Sequence, residues 1–259
     1  MRRRFTYLSC LFLTLAILLN GCGSDISRIA GDQNTEAENP AVQEALAASP
    51  VYQRIEIISS PEEAKQLLIE GNQRFATGKL LSKDLSSARR RELMENGQHP
   101  FAVIVSCSDS RVPPELLFDQ ALGDLFVVRV AGNVVSPVEL GSIEYAVDHL
   151  KTPLVVVLGH EACGAVTAAV QGGETHGSIS SIIEKIKPAV DGAKALSFGI
   201  TTNKDLIDKS TELNIQNTIK EILKSPIIEE GAATKKVDIT GIKYDLDEGV
   251  LEFINLEAN

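Results

Sequence analysis

A chain of 259 residues, 44% of them hydrophobic, has enough apolar material for one substantial core and suits a single α/β domain. Its formal net charge of −10 argues against nucleic acid as a partner, because phosphate binding needs a basic surface this composition does not offer. Excess acid otherwise favours solubility and selects no substrate.

The first predicted element lies outside the fold. Arg2, Arg3 and Arg4 precede an apolar run over residues 8–19, which leads into Asn20-Gly21-Cys22. A positive start, a short apolar stretch and a small residue before the cut are the layout of a secretory signal. The run is shorter than the ~20 residues a membrane-spanning helix needs. Its ending, Leu19-Asn20-Gly21-Cys22, resembles a bacterial lipobox, in which the cysteine is acylated and becomes the mature N-terminus. An ordinary signal peptide or an uncleaved anchor is the alternative. From Gly23 to about Ser49 the chain is rich in Ala, Asn, Gln, Glu and Ser, and reads as a flexible tether. The expected organisation is a signal peptide at 1–21, a tether at 22–58 behind a lipidated Cys22, and the folded domain at 59–259. The expected location is exported, lipid-anchored to a bacterial membrane and facing the periplasm or the cell exterior.

Ser60-Pro61-Glu62-Glu63 predicts a helix start, with Ser60 as N-cap, Pro61 at the first helical position and Glu63 closing a capping box. Leu67, Leu68 and Phe75 give that helix an apolar face, and Gly78 stops it. Residues 101–106, 125–130 and 154–158 are short, β-branched and nearly all apolar, as buried parallel strands are. Residues 237–244, a turn at 245–249 and residues 250–254 read as a terminal hairpin. Helical spacing covers 141–150, 164–170, 178–194 and 204–224. The predicted class is α/β: a mostly parallel central sheet of four strands plus a C-terminal antiparallel strand, with helices on both faces.

Of the four cysteines, Cys10 leaves with the signal and Cys22 is the lipidation candidate, so Cys107 and Cys163 remain in the fold. Two thiols in an exported protein first suggest a disulfide. Their neighbours suggest otherwise. Cys107 directly follows the first strand, in Cys107-Ser108-Asp109-Ser110-Arg111, and His160 sits one residue beyond the third, in Gly159-His160-Glu161-Ala162-Cys163-Gly164. Ligand sites in doubly wound sheets form outside the carboxyl ends of strands where the strand order reverses, so a 2-1-3 order brings these loops together. Two thiolates and an imidazole suit zinc and leave a fourth, open position. Arg111 offers a rigid fork that would hold the Asp109 carboxylate off the metal.

These residues resemble the β-carbonic anhydrase family. The likeness lies in residues 107–112, Phe126-Val127-Val128-Arg129, residues 141–147, Gly159-His160 with Cys163-Gly164, and Glu70-Gly71-Asn72-Gln73-Arg74-Phe75, and spans roughly residues 61–173. It implies one Zn2+ per chain on Cys107, His160 and Cys163, and reversible hydration of carbon dioxide to bicarbonate and a proton by zinc-bound hydroxide. It further implies that Asp109, oriented by Arg111, accepts a hydrogen bond from the nucleophile, or becomes the fourth zinc ligand in a closed state. Gln98 would then hydrogen-bond the substrate oxygen, Phe126 and Tyr145 would line the carbon dioxide pocket, and the Gly164 N–H would contact substrate. A homodimer or higher homo-oligomer is implied as well. The sequence departs from the family where Val130-Ala131-Gly132 follows Arg129, and in having no tryptophan. Carbon disulfide or carbonyl sulfide hydrolysis on the same fold is the rival activity. A catalytically silent zinc-binding lipoprotein is the rival class, although such a site has no use for Asp109, Arg111 and Gln98.

Overall fold

The protein's structure, a computed structural model, describes residues 51–54, 56–196 and 199–255. The expected signal peptide at 1–21, Cys22 and most of the expected tether lie outside the described residues.

Two strands without a single exposed residue form the centre, β1 (Ala102–Ser106) and β3 (Leu154–His160). Such runs bury both faces, which is what parallel strands covered by helices require. With β2 (Leu125–Arg129), β4 (Asp238–Tyr244) and β5 (Leu251–Ile254), they make one sheet in the order β2-β1-β3-β4-β5. β1 is parallel to β2 and β3, β3 is parallel to β4, and β5 returns antiparallel to β4. The predicted fold class holds. The β4–β5 turn is pinned by Asp245, whose Oδ1 accepts from the N–H groups of Asp247 at 2.8 Å and Glu248 at 2.7 Å.

Alternation along the strands divides the core in two. Val103, Val105, Val155 and Val157 share one apolar layer, and Ala102, Ile104, Leu154, Val156 and Leu158 share the other. The first layer is covered by α4 (Pro137–Asp148), α7 (Asn203–Ile222) and α8 (Pro226–Ala233), through Ile143, Ile215, Ile219 and Ile228. The second is covered by α1 (Pro61–Ala76), α3 (Pro114–Leu117), α5 (Gly164–Gln171) and α6 (Ile179–Ala195), through Leu68, Leu117, Val166, Ile186 and Val190. Asn72 of α1 ties three elements together, donating to the carbonyls of Leu117 at 3.2 Å and Gly249 at 2.9 Å.

Four expectations need correction. Ser60 caps α1 as predicted, but its hydroxyl donates to Glu62, the neighbour whose carboxylate lies 2.9 Å away. The third strand runs on to His160, because its register with β4 continues to the His160–Tyr244 pair. α4 starts four residues before 141, where Ser136 and Glu139 form a capping box. The expected tether to 58 overlaps the folded body: Tyr52 N–H donates to Ser82 O at 2.7 Å, and Ile58 is buried. Arg54 lies 2.9 Å from the buried Asp124 carboxylate and 5.0 Å from the Phe101 ring centroid. Removing Arg54 would strand a buried charge, which holds this segment to the domain. Helix α2 (Ser87–Asn96), and the single-turn segments α3 and Ala131–Asn133, were not expected, nor was α8.

Candidate metal centre

The carboxyl ends of β1 and β3 lie side by side, with Ser106 paired to Leu158. Cys107 is the first residue past β1, His160 the last of β3, and Cys163 the N-cap of α5. A left-handed Ala162, at φ 47°, turns the chain sharply between the last two. All three side chains are buried, and one donor atom from each lies within 4.8 Å of the others.

The two sulfurs are 4.0 Å apart. A disulfide would need ~2.05 Å. Two thiolates on a tetrahedral zinc, each bond ~2.3 Å, sit ~3.8 Å apart. His160 Nδ1 is 2.8 Å from the Glu161 carbonyl, which only accepts, so that nitrogen carries the ring proton. Nε2 then presents a bare lone pair, and it is buried without a hydrogen-bond partner. An orphaned buried nitrogen beside two sulfurs at metal-ligand spacing fits a zinc ion.

With one proton between the sulfurs, the hydrogen bond from Cys163 lowers the pKa of the Cys107 thiol and raises that of Cys163. Backbone N–H groups of Gly132 and Asp109 add to the pull on Cys107, and those of Val166 and Ala165 favour the Cys163 thiolate. Both sulfurs therefore have donors already aimed at their anionic form.

Asp109 and Arg111 close the site on its open side. Arg111 Nε donates to Oδ1 at 3.0 Å, Nη2 to Oδ2 at 2.7 Å, and the Arg111 backbone N–H to Oδ1 at 2.9 Å. The guanidinium beside Asp109 holds its carboxyl well below the ordinary carboxylate range. Oδ2 lies 3.9 Å from His160 Nε2, so this carboxylate overlooks the ligands while committed to the arginine. Arg111 Nη2 also reaches the Ala162 carbonyl at 3.3 Å, joining the two ligand loops.

Two contributors were named in the sequence only for their likeness to the family or departure from it, with no role assigned. Arg129, in register with Ser106 at the end of β2, donates to the carbonyls of Cys107 at 3.0 Å and Asp109 at 2.6 Å. Gly132 N–H donates to Cys107 Sγ at 3.3 Å. Arg129 could have been noticed as a lone charge ending an apolar strand, but its target depends on strand register. Gly132 gives no such signal.

The remaining predicted residues divide. Gly164 opens α5 beside Cys163, is exposed, and has no atom where a side chain would stand, so its backbone is approachable. Gln98 lies before β1, at the opposite end of that five-residue strand from Cys107. The strand alone spans roughly 17 Å, which the side chain cannot bridge. Phe126 pairs with Val103 and packs against the layer that excludes Cys107 and Cys163. Its ring centroid is 6.3 Å from that of Tyr145, which is 49% exposed. The fold thus brings Cys107, His160, Cys163, Asp109 and Arg111 together and leaves Gln98, Phe126 and Tyr145 apart from them. His99, His149 and His176 are all exposed.

A family model described as carbonic anhydrase matches residues 102–251. A carbonic anhydrase of Mycolicibacterium smegmatis is 39% identical over 199 residues, covering 75% of this chain and 93% of the relative. Carbonic anhydrase 2 of Mycobacterium tuberculosis is 39% identical over 196 residues, covering 74% and 91%. Among solved structures, a Coccomyxa β-carbonic anhydrase in complex with acetazolamide shares 30% identity at a TM-score of 0.57, covering 72% of this chain and 84% of that one. A tetrameric β-carbonic anhydrase from Sordaria macrospora shares 27% identity at a TM-score of 0.58, covering 74% and 98%.

Proposed function

The chain belongs to the β-class carbonic anhydrases, and from that membership we propose that it hydrates carbon dioxide reversibly to bicarbonate around one zinc ion held by Cys107, His160 and Cys163. The observation that carries this reading is the buried three-ligand cluster beside a carboxylate locked by an arginine fork. Three protein ligands leave the open position that separates a catalytic zinc from a structural one. Zinc bound there supplies Lewis acidity that makes water nucleophilic near neutral pH.

The chain's own residues do the rest. Asp109 stays ionised and accepts a hydrogen bond from the group that attacks carbon dioxide, which aims that group's lone pair at the carbon. Arg111 aims that carboxylate and keeps it from the fourth ligand position. A closed state with Asp109 on zinc would require breaking the fork. The Gly164 N–H, at the amino end of α5, favours negative charge developing on a substrate oxygen.

Gln98, Phe126 and Tyr145 act on the site of another copy. Gln98 lies a strand's length from its own chain's ligands and Phe126 faces the other core layer, and β2, which carries Phe126, is a sheet edge without a partner strand among the described residues, of the kind proteins cover. Val138 is 76% exposed on α4, the helix that carries Tyr145, which also favours a covered face here. The tetrameric Sordaria relative supports assembly. In a homodimer, Gln98 would donate to a substrate oxygen, and the two aromatic rings would wall an apolar pocket for carbon dioxide across the interface.

The direct test is stopped-flow carbon dioxide hydration by the chain freed of residues 1–22, with zinc measured on the same sample. Activity at about one zinc per chain is the expected result. Zinc without hydration would favour carbon disulfide or carbonyl sulfide as substrate, or a silent scaffold. A Cys107–Cys163 disulfide in place of zinc would remove the proposal altogether.

We also propose export and lipid anchorage through Cys22, on the strength of the arginine start, the apolar run and the Gly21-Cys22 ending. In cells of a lipoprotein-processing bacterium, the full chain should fractionate with membranes and incorporate labelled fatty acid, and Cys22→Ser should do neither. Equal membrane retention of the two would instead mean an uncleaved anchor.

A further inference from the structure

Gly132 sits at φ 72°, ψ 17°, in the left-handed region. A Cβ there would meet Ala165 Cβ at 3.2 Å and the Ile186 Cδ1 methyl at 2.7 Å; the methyl can swing aside, so it is the left-handed φ that selects glycine. Glycine also has the widest backbone freedom of any residue. The N–H it aims at Cys107 Sγ therefore depends on whatever fixes the surrounding turn. Asn133 N–H closes the turn on Val130 O at 2.9 Å. The other restraints come from one face of α7. Asn214 Nδ2 donates to Gly132 O at 2.8 Å, and one helical turn on, Thr218 Oγ1 donates to Asn133 O at 3.3 Å. Asn214 is 1% exposed, in a helix whose next residue, Ile215, is a core side chain. A carboxamide buried there bears a desolvation cost that an apolar residue would not.

We propose that Asn214 is a positioning residue for the metal: it fixes the 131–133 turn so that the Gly132 amide stays on the Cys107 sulfur. The inference rests on the zinc reading above. An N–H group held on a ligand sulfur sets both the rotamer and the charge that sulfur presents to zinc. Outer-shell partners of this kind typically change metal affinity ~10–100-fold when removed.

The test uses the zinc-loaded protein and three variants. Asn214→Asp keeps the shape but loses the donor, Asn214→Leu keeps the volume without a buried charge, and Thr211→Val serves as control. Thr211 is also buried on α7, but among the described residues its hydroxyl bonds only to Ile207 O, at 2.9 Å within the helix. Zinc transfer to a chromophoric chelator should be ~10–100-fold faster from both Asn214 variants and near the wild-type rate from Thr211→Val. In the cobalt-substituted protein, the thiolate-to-cobalt charge-transfer band should move in the Asn214 variants alone. Wild-type release rates in both Asn214 variants, or equal acceleration in Thr211→Val, would overturn this role and leave the zinc reading intact. A wild-type chain that holds no zinc would overturn both.

Discussion

Asp109→Ala, loaded with zinc, should hydrate carbon dioxide about 10²–10⁴-fold more slowly than the wild type and keep its metal. Both halves of that result follow from geometry. Asp109 is outside the ligand cluster of Cys107, His160 and Cys163, so removing it leaves the zinc donors in place. Its Oδ2 nevertheless lies 3.9 Å from His160 Nε2, where it can face whatever occupies the fourth position. The Arg111 fork depresses its pKa, so the charge is present throughout the neutral range. A depressed carboxylate contributes stability above its unfolded pKa of ~4, and loses it as pH falls through the lower folded value. An acid limb of the rate profile near neutrality therefore arises from another group. Arg111→Ala should also lose activity by a different route, because the freed carboxylate can take the fourth ligand position. Stopped-flow rates and zinc content on each variant decide the matter. An active Asp109→Ala, or one stripped of zinc, would defeat the assignment.

The parts of the fold legible in the sequence were those whose physics is local. Strands buried on both faces must be apolar at every position, and residues 102–106 and 154–158 announce themselves that way. Helix α2 does not, because its sequence, SARRRELMEN, has no apolar stripe, buries only Arg89 and leaves Met94 76% exposed. The ligands were legible because strand ends are where such folds place chemistry. Arg129 and Gly132 were not, since their roles depend on the β1–β2 register and on a helix about 80 residues away. Gln98, Phe126 and Tyr145 mark a third kind of limit. The family likeness names them as a group, but only the length of β1 places Gln98 at the far end of that strand from Cys107, and only the two-sided core puts Phe126 against the other layer.

That separation makes the second large effect a gain. Gln98→Ala should be ~10²–10³-fold slower than wild type, the usual cost of losing a donor to a developing oxyanion, and Asp109→Ala slower still. Mixed and allowed to exchange subunits, the two weak enzymes should recover about a quarter of wild-type activity, because about half of randomly paired dimers are mixed. In each mixed dimer, one site takes its carboxylate and its glutamine from the damaged positions. The other takes both from intact ones, Asp109 from the first chain and Gln98 from the second. Gln98→Ala mixed with Phe126→Ala is the control: both defects lie on the face that serves the partner, so no pairing yields an intact site. If Gln98 worked within its own chain, mixing it with Asp109→Ala would also yield no intact site, and the activity would stay at the sum of the two parents. Recovery in the first mixture and none in the control is an outcome that only a site shared between two copies produces.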